Sequence, residues 1–277
     1  MKLKYARIKN YRGIKDETSI SFKDFSCIVG KNDVGKSTIL KAIDTFLNEN
    51  NPNIEDKNVY SDSNFIEINL IFDSASSPII LDDTIPVSLF DEELVDENGL
   101  ISVKKVWDVS QKTIKPKIFL CRRIYDADDF VMLSEKELRT LCAKFHIETA
   151  KANGEEYNNK EKREKLRAYH HEAGTSFHFD FEEMPATGTT RPKKIIEALK
   201  GILPTFEYFR ADRSLSDSDT SVQKYFKDQA YKLLKSEIPT DEVEDSIRHH
   251  IETALGKITK NLWKRRIKRD KCLRNAC

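Results

Sequence analysis

Gly30 is followed by four residues and then by Gly35, Lys36 and Ser37, within FSCIVGKNDVGKSTILKAID at residues 25–44. This spacing has a backbone rationale. Glycines let the chain curl so that successive N–H groups point inward at phosphate oxygens. A lysine at position 36 can reach the outer phosphates of a nucleotide, and the Ser37 hydroxyl can bind Mg²⁺. A helix leaving the loop aims the positive end of its dipole at the same phosphates. Gly30, Lys31, Asn32, Asp33, Val34, Gly35, Lys36, Ser37 and Thr38 are therefore the candidate ATP-binding residues, with Ser37 as the metal ligand. The alternative is a chance match in a glycine turn. Context decides against it, because the apolar run SCIV enters the loop and STILKAIDTFL leaves it.

Those flanks must be a strand and a helix for the chemistry to work. Residues 3–8, 19–22 and 26–29 read as short strands, the last leading into the loop. From Ser37 to about Leu47, Ile39, Leu40, Ile43, Phe46 and Leu47 give a helix apolar on two sides, as packing between a sheet and other elements requires. FIEINLIFD at 65–73 alternates with a period of two. LISVKKVWDV and KPKIFLCRRIYD read as two more strands joined by a turn at 111–115, so residues 60–125 look antiparallel. Ser134 and Glu137 form a capping box that opens a helix. Residues 152–172 are highly charged and predict a solvated helix or a mobile insert. GTSFHFDFEEMPATGTTRP predicts a loop with a short strand. Pro192 opens a helix that Gly201 ends. TFEYFRAD at 205–212 reads as a strand, and helices follow at 221–235 and from Thr240 to Leu262.

Other nucleotide-using classes fit less well. The guanine-reading N-K-x-D has only NKEK at Asn159 as its nearest string, which lacks the carboxylate. Asp96-x-x-Gly99 fits a weak D-x-x-G pattern but reads equally well as a hairpin turn. A small-molecule kinase would be built of alternating parallel strands and helices, against the antiparallel strands expected here. The chain has 277 residues, 39% hydrophobic and 34% charged, with a net charge of +1 that argues for no particular partner. Five scattered cysteines, none in a C-x-x-C pair, argue against zinc and suit a reducing, cytoplasmic compartment. No run approaches the roughly 18 apolar residues of a membrane helix, so no membrane partner is expected.

The order LKYARIKNYRGI, SISF, CIVGKNDVGKST, ILKAIDTFL resembles the N-terminal lobe of the ABC-type ATPases that act on DNA: the RecF, SMC and OLD nuclease families and the related Gabija-type anti-phage endonucleases. The matching positions are Ile8, Asn10, Tyr11, Arg12, Phe22, Gly30, Asn32, Gly35, Lys36, Ser37, Thr38, Leu40 and Ala42. Asn32-Asp33-Val34 looks closest to the OLD/RecF side, and the likeness is specific over residues 1–47. The resemblance implies an α/β P-loop lobe of ABC type over 1–125, with a mixed sheet around the central helix and an antiparallel β segment. A helical segment at 126–239 with a returning strand near 205–212, and an amphipathic helix with a basic tail at 240–277, would complete it. It implies ATP and Mg²⁺ as cofactors and a role in DNA metabolism or phage defence. In such families an arginine near the end of the first strand lies close to the phosphates, which by position is Arg12; a surface arginine at a strand end is the competing reading. Where a metal-facing Gln is often found, this chain has Ala211-Asp212, and Asp212 is either a water-mediated Mg²⁺ contact or a solvated loop carboxylate. Gln223 comes later, on an expected helix.

Hydrolysis in this class also needs a hydrophobic strand ending in Asp-Glu, whose Glu activates water, and a Ser-Gly-Gly loop supplied across a dimer. Neither is recognisable: INLIFDS lacks the Glu, and none of the nine glycines are adjacent. No nuclease carboxylate cluster stands out either. The sequence therefore reads as an incomplete ATPase that needs a homodimer, a missing C-terminal half or a partner subunit. The apolar stripe Val243, Ile247, Ile251, Ala254, Leu255, Ile258 and Leu262 is expected to be an interface, or else to pack on the helix at 221–235. Lys257 to Arg274 hold nine Lys/Arg and one acid. A DNA-binding arm, a disordered tail and a truncated or frame-altered end compete as explanations.

Overall fold

The computed structural model describes residues 1–29, 35–73, 79–81, 86–151, 153–185 and 190–208. The expected helices at 221–235 and 240–262, the stripe on the latter, Asp212, Gln223 and the basic tail lie outside these residues. One compact unit spans Met1–Tyr208.

The unit is organised on a six-stranded sheet. Its strands are β1 (Leu3–Lys9), β2 (Thr18–Ser21), β3 (Phe65–Phe72), β6 (Ile101–Asp108), β7 (Pro116–Tyr125) and β8 (Phe177–Met184), in the order β2-β1-β3-β6-β7-β8. Two short strands, β4 (Ile79–Ile80) and β5 (Pro86–Val87), pair separately. Every pairing among the described strands is antiparallel. The expected mixed sheet is corrected accordingly: no parallel neighbour occurs among the described residues. The apolar run at 26–29 is not a strand either. Backbone pairing defines a strand, and no described segment pairs with it. Phe25 and Val29 are 87% and 86% exposed.

Period-two patterning explains the sheet's inner face. Ala6 faces Leu70 and Leu70 faces Val103, which faces Leu120; Ile8, Ile68, Lys105 and Ile118 form the next row. All are buried. Helix α1 (Lys36–Leu47) packs on β1 and β3. Its buried residues Thr38, Ala42, Ile43, Thr45 and Phe46 fall at steps of three and four, the spacing that puts side chains on one helix face. The Tyr11 hydroxyl and Thr45 Oγ1, 3.2 Å apart, fasten the turn after β1 to this helix.

That turn depends on Asn10, which sits at φ 55° with its side chain buried. Asparagine tolerates this left-handed region better than most residues. Its Nδ2 donates to the Ser63 and Phe65 carbonyls, each at 2.8 Å, and its Oδ1 accepts the Asn58 N–H at 3.2 Å. One amide thus ties the end of β1 to the start of β3. Asn10→Ala should leave one buried and two partly buried backbone groups without this partner and lower stability by about 1–3 kcal/mol. A urea melt is the check, and an unchanged midpoint would mean water replaces the amide.

Beyond β7 come α2 (Glu135–Lys144), α3 (Asn159–Glu172) and α4 (Arg191–Ile202). The Ser134–Glu137 capping box forms as expected at the start of α2, and Pro192 lies in the first turn of α4. Two expectations need correction. Residues 159–172 form a helix packed along one face rather than a wholly solvated one or a mobile insert: Lys162, Arg163, Leu166 and His170 are buried, while Glu164, Ala168, His171 and Glu172 face water. Their burial is compensated by acids far away in sequence. The Glu92 carboxylate, 1% exposed, lies 2.6 Å from the Arg191 guanidinium, 3.8 Å from that of Arg163 and 3.9 Å from that of Arg167. Glu93 accepts from Arg123 at 2.8 Å and from the Tyr125 hydroxyl at 2.9 Å. Burial, and then the Glu93 charge, push the Tyr125 phenol up to about 12. The second correction is β8, a full eight-residue strand pairing with β7 from Ile118↔Met184 to Tyr125↔Phe177. Residues 205–208 are not strand, and 209–212 lie outside the described residues.

Candidate nucleotide-binding site

Gly35 ends the loop at φ 90° and ψ 12°, the left-handed conformation that strains any residue with a Cβ. Its carbonyl accepts the N–H groups of Thr38 at 3.0 Å and Ile39 at 3.2 Å, so α1 starts at Lys36 without a break. Among the described residues no side chain caps this end, and its first turn holds no acid. The positive end of the helix dipole is therefore not neutralised from within the helix, which favours an approaching anion. Thr38 is buried and anchors the turn, Lys36 is half-buried and Ser37 is exposed. Gly30, Lys31, Asn32, Asp33 and Val34 lie outside the described residues.

These features fit an Mg²⁺-bound triphosphate. The open first turn and the Lys36 ammonium would hold the phosphates, and the exposed Ser37 hydroxyl would hold the metal. Bound there, Mg²⁺ would neutralise charge on the phosphate oxygens.

Arg12 is the remaining candidate. It follows Asn10 in the turn after β1, at φ 50°. Its Nε and Nη2 lie 2.9 and 2.8 Å from Asp56 Oδ1, and its backbone N–H donates to the Asp56 carbonyl at 2.6 Å. Tyr11 fixes this turn beside Thr45, about 13 Å along α1 from Lys36 at 1.5 Å per residue. Among the described residues, no hydrogen bond or ion pair joins Arg12 to Gly35, Lys36, Ser37 or Thr38.

One titratable group near this helix belongs to no sequence motif. Lys105 shares the inner face of β6 with Val103 and Trp107. Its place in that alternation, ISVKKVW, is the signal that could have shown it points inward. Its Nζ donates to the Phe46 carbonyl in the last turn of α1 at 2.7 Å and lies 4.6 Å from the Phe46 ring centroid.

A glycine-turned helix end of this kind, behind G-x-x-x-x-G-K-S, belongs to the P-loop ATPases. More narrowly, residues 1–271 match the AAA ATPase domain family, and the chain belongs to it. Members are ATP-binding ATPases that generally take ATP with Mg²⁺. None of the curated proteins matches the chain. Among the described residues, no helix is long and apolar enough to cross a membrane, and no group of three His, Cys, Asp or Glu could hold a metal ion.

Proposed function

We propose that this chain is the ATP- and Mg²⁺-binding N-terminal ATPase region of an OLD/RecF-like protein, acting on DNA in its metabolism or in anti-phage defence. The observation that carries the reading is the course of the chain around the loop. A first strand and its hairpin partner precede the loop, α1 follows it, and β3 then returns to pair with β1. That order, with Asn10, Tyr11 and Arg12 ahead of Gly35, Lys36 and Ser37, is the one the ABC-type resemblance rests on.

In this reading, hydrolysis needs a contribution from elsewhere. The described strand that ends in an acid after an apolar run is β3, at Phe72-Asp73. Asp73 accepts the Lys2 backbone N–H at 2.5 Å and lies 3.9 Å from the Lys4 ammonium, so it closes the end of the sheet. The purified chain is therefore expected to turn over ATP at background rate. A steady turnover that persists after contaminating ATPases are removed, and is lost in Lys36→Ala, would overturn this. Anisotropy titration of a labelled DNA duplex, with and without ATP, tests the DNA assignment separately. Absence of binding in both cases would reject the DNA role and leave ATP binding standing.

A second reading is a nucleotide-binding subunit whose partner chain supplies the Asp-Glu strand and the signature loop. Exposed Phe25 and Val29, immediately before the loop, favour it, because a partner would remove this apolar surface from water.

A further inference from the structure

Between the C-terminal ends of α1 and α4, against β6 and β7, lies an open cavity of about 340 Å³. Val103, Ile118, Ile196, Leu199 and Leu203 give it apolar walls. Lys105 also lines it and is 5% exposed. Its strand neighbours in register, Ile68 and Ile118, are apolar. The charged groups around it are Glu49, beyond the end of α1, and Lys200 on α4, which pair with each other at 2.5 Å. No carboxylate among the described residues lies within 4 Å of the Lys105 ammonium. A buried cation without a countercharge favours losing its proton. Burial pushes Lys105 down to about 8, with Glu49 raising it and Lys200 lowering it further.

A desolvated lysine in an apolar pocket is a nucleophile towards carbonyl carbon. We propose that this cavity is a covalent binding site for an aldehyde with an apolar body, held as an imine on Lys105. The neutral Nζ attacks the carbonyl carbon, and the carbonyl π pair moves to oxygen, which takes a proton. The carbinolamine then loses water as the nitrogen lone pair forms C=N. Overall, the ammonium and the aldehyde give a protonated imine and one water, with no change in oxidation state. The surroundings suit each species. Apolar walls accept the aldehyde's body. The protonated imine keeps one N–H for the Phe46 carbonyl.

The test is reductive trapping on the intact chain, using hexanal with cyanoborohydride at pH 7.5 and mass mapping of the modified lysines. Near pH 8 roughly half of Lys105 is the free amine, against roughly three in a thousand for a lysine at the ordinary 10.5. Lys105 is expected to be labelled at least tenfold faster than the median lysine. Its rate should level off above pH 8, while surface lysines keep accelerating towards pH 10. Leu199→Trp, which fills the cavity, should cut Lys105 labelling at least tenfold and leave other lysines unchanged. Labelling of Lys105 no faster than the median in the native wild-type chain, or only in urea, would overturn the proposal whether or not the variant folds.

Discussion

Replacing Lys36 with alanine is expected to weaken ATP·Mg²⁺ binding about 10- to 100-fold. The lost group is an ammonium at the first residue of α1, next to a helix end with no internal acid. A hydrogen bond to a charged group contributes about 1.5–3 kcal/mol, and each 1.4 kcal/mol is a factor of ten. Ser37→Ala should act on a different component. Its deficit should appear with Mg²⁺ and vanish in chelator, because the hydroxyl would hold the metal rather than the phosphates. Titration with a fluorescent ATP analogue reads both effects, with melting temperature without nucleotide as the folding control. Equal affinity in wild type and Lys36→Ala would rule out the loop as the nucleotide site.

Removing the Glu92 carboxylate is expected to destabilise the unit by about 3–5 kcal/mol, the usual result of breaking a buried ion pair from one side. Glu92 is held between α3 and α4, with Arg191 at 2.6 Å and the Arg163 and Arg167 guanidiniums within 4 Å. Glu92→Ala leaves these cations in place without that carboxylate. At about 2–4 °C per kcal/mol for a domain of this size, the melting temperature should fall by roughly 6–20 °C. Glu92→Gln should recover only part of this, because it restores shape without charge. A change below about 1 kcal/mol would mean that water screens the cluster.

The difference between what could and could not be read from the sequence follows from this cluster. Local signals were legible. The alternation of Ile66, Ile68 and Leu70 marks β3, Ser134 and Glu137 mark the start of α2, and Gly35-Lys36-Ser37 marks the start of α1. What escaped depends on partners distant in sequence. The charge-rich segment 159–172 looks fit only for water until Glu92 is placed against its Arg163 and Arg167, 71 and 75 residues further along the chain. Its polarity reflects pairing, which composition cannot show. The converse holds at 26–29, where an apolar run reads as a strand but strand structure also requires a neighbour to hydrogen-bond, and no described segment pairs there. The pairing of the Arg12 guanidinium with Asp56 likewise carries no signal in the sequence, because it is made across 44 residues in a short turn without strong periodicity.

The ladder between β1 and β3 has a consequence for the order of folding. Its pairs lie 58 residues apart at Lys9↔Glu67 and 69 apart at Leu3↔Phe72, whereas β6 and β7 meet only 9 apart at Trp107↔Pro116. The separation of 58 against 9 is between two and three doublings of loop length, so closing β1 onto β3 costs about 1.5 kcal/mol more chain entropy. The β6–β7 hairpin can therefore form early, while the β1–β3 contact waits for a long-range search. Helix α1 rests on both of those late-paired strands. Its buried face is complete only after they meet, so α1, with Lys36 and Ser37 at its start, is expected to consolidate late, after the hairpin scaffold beside it.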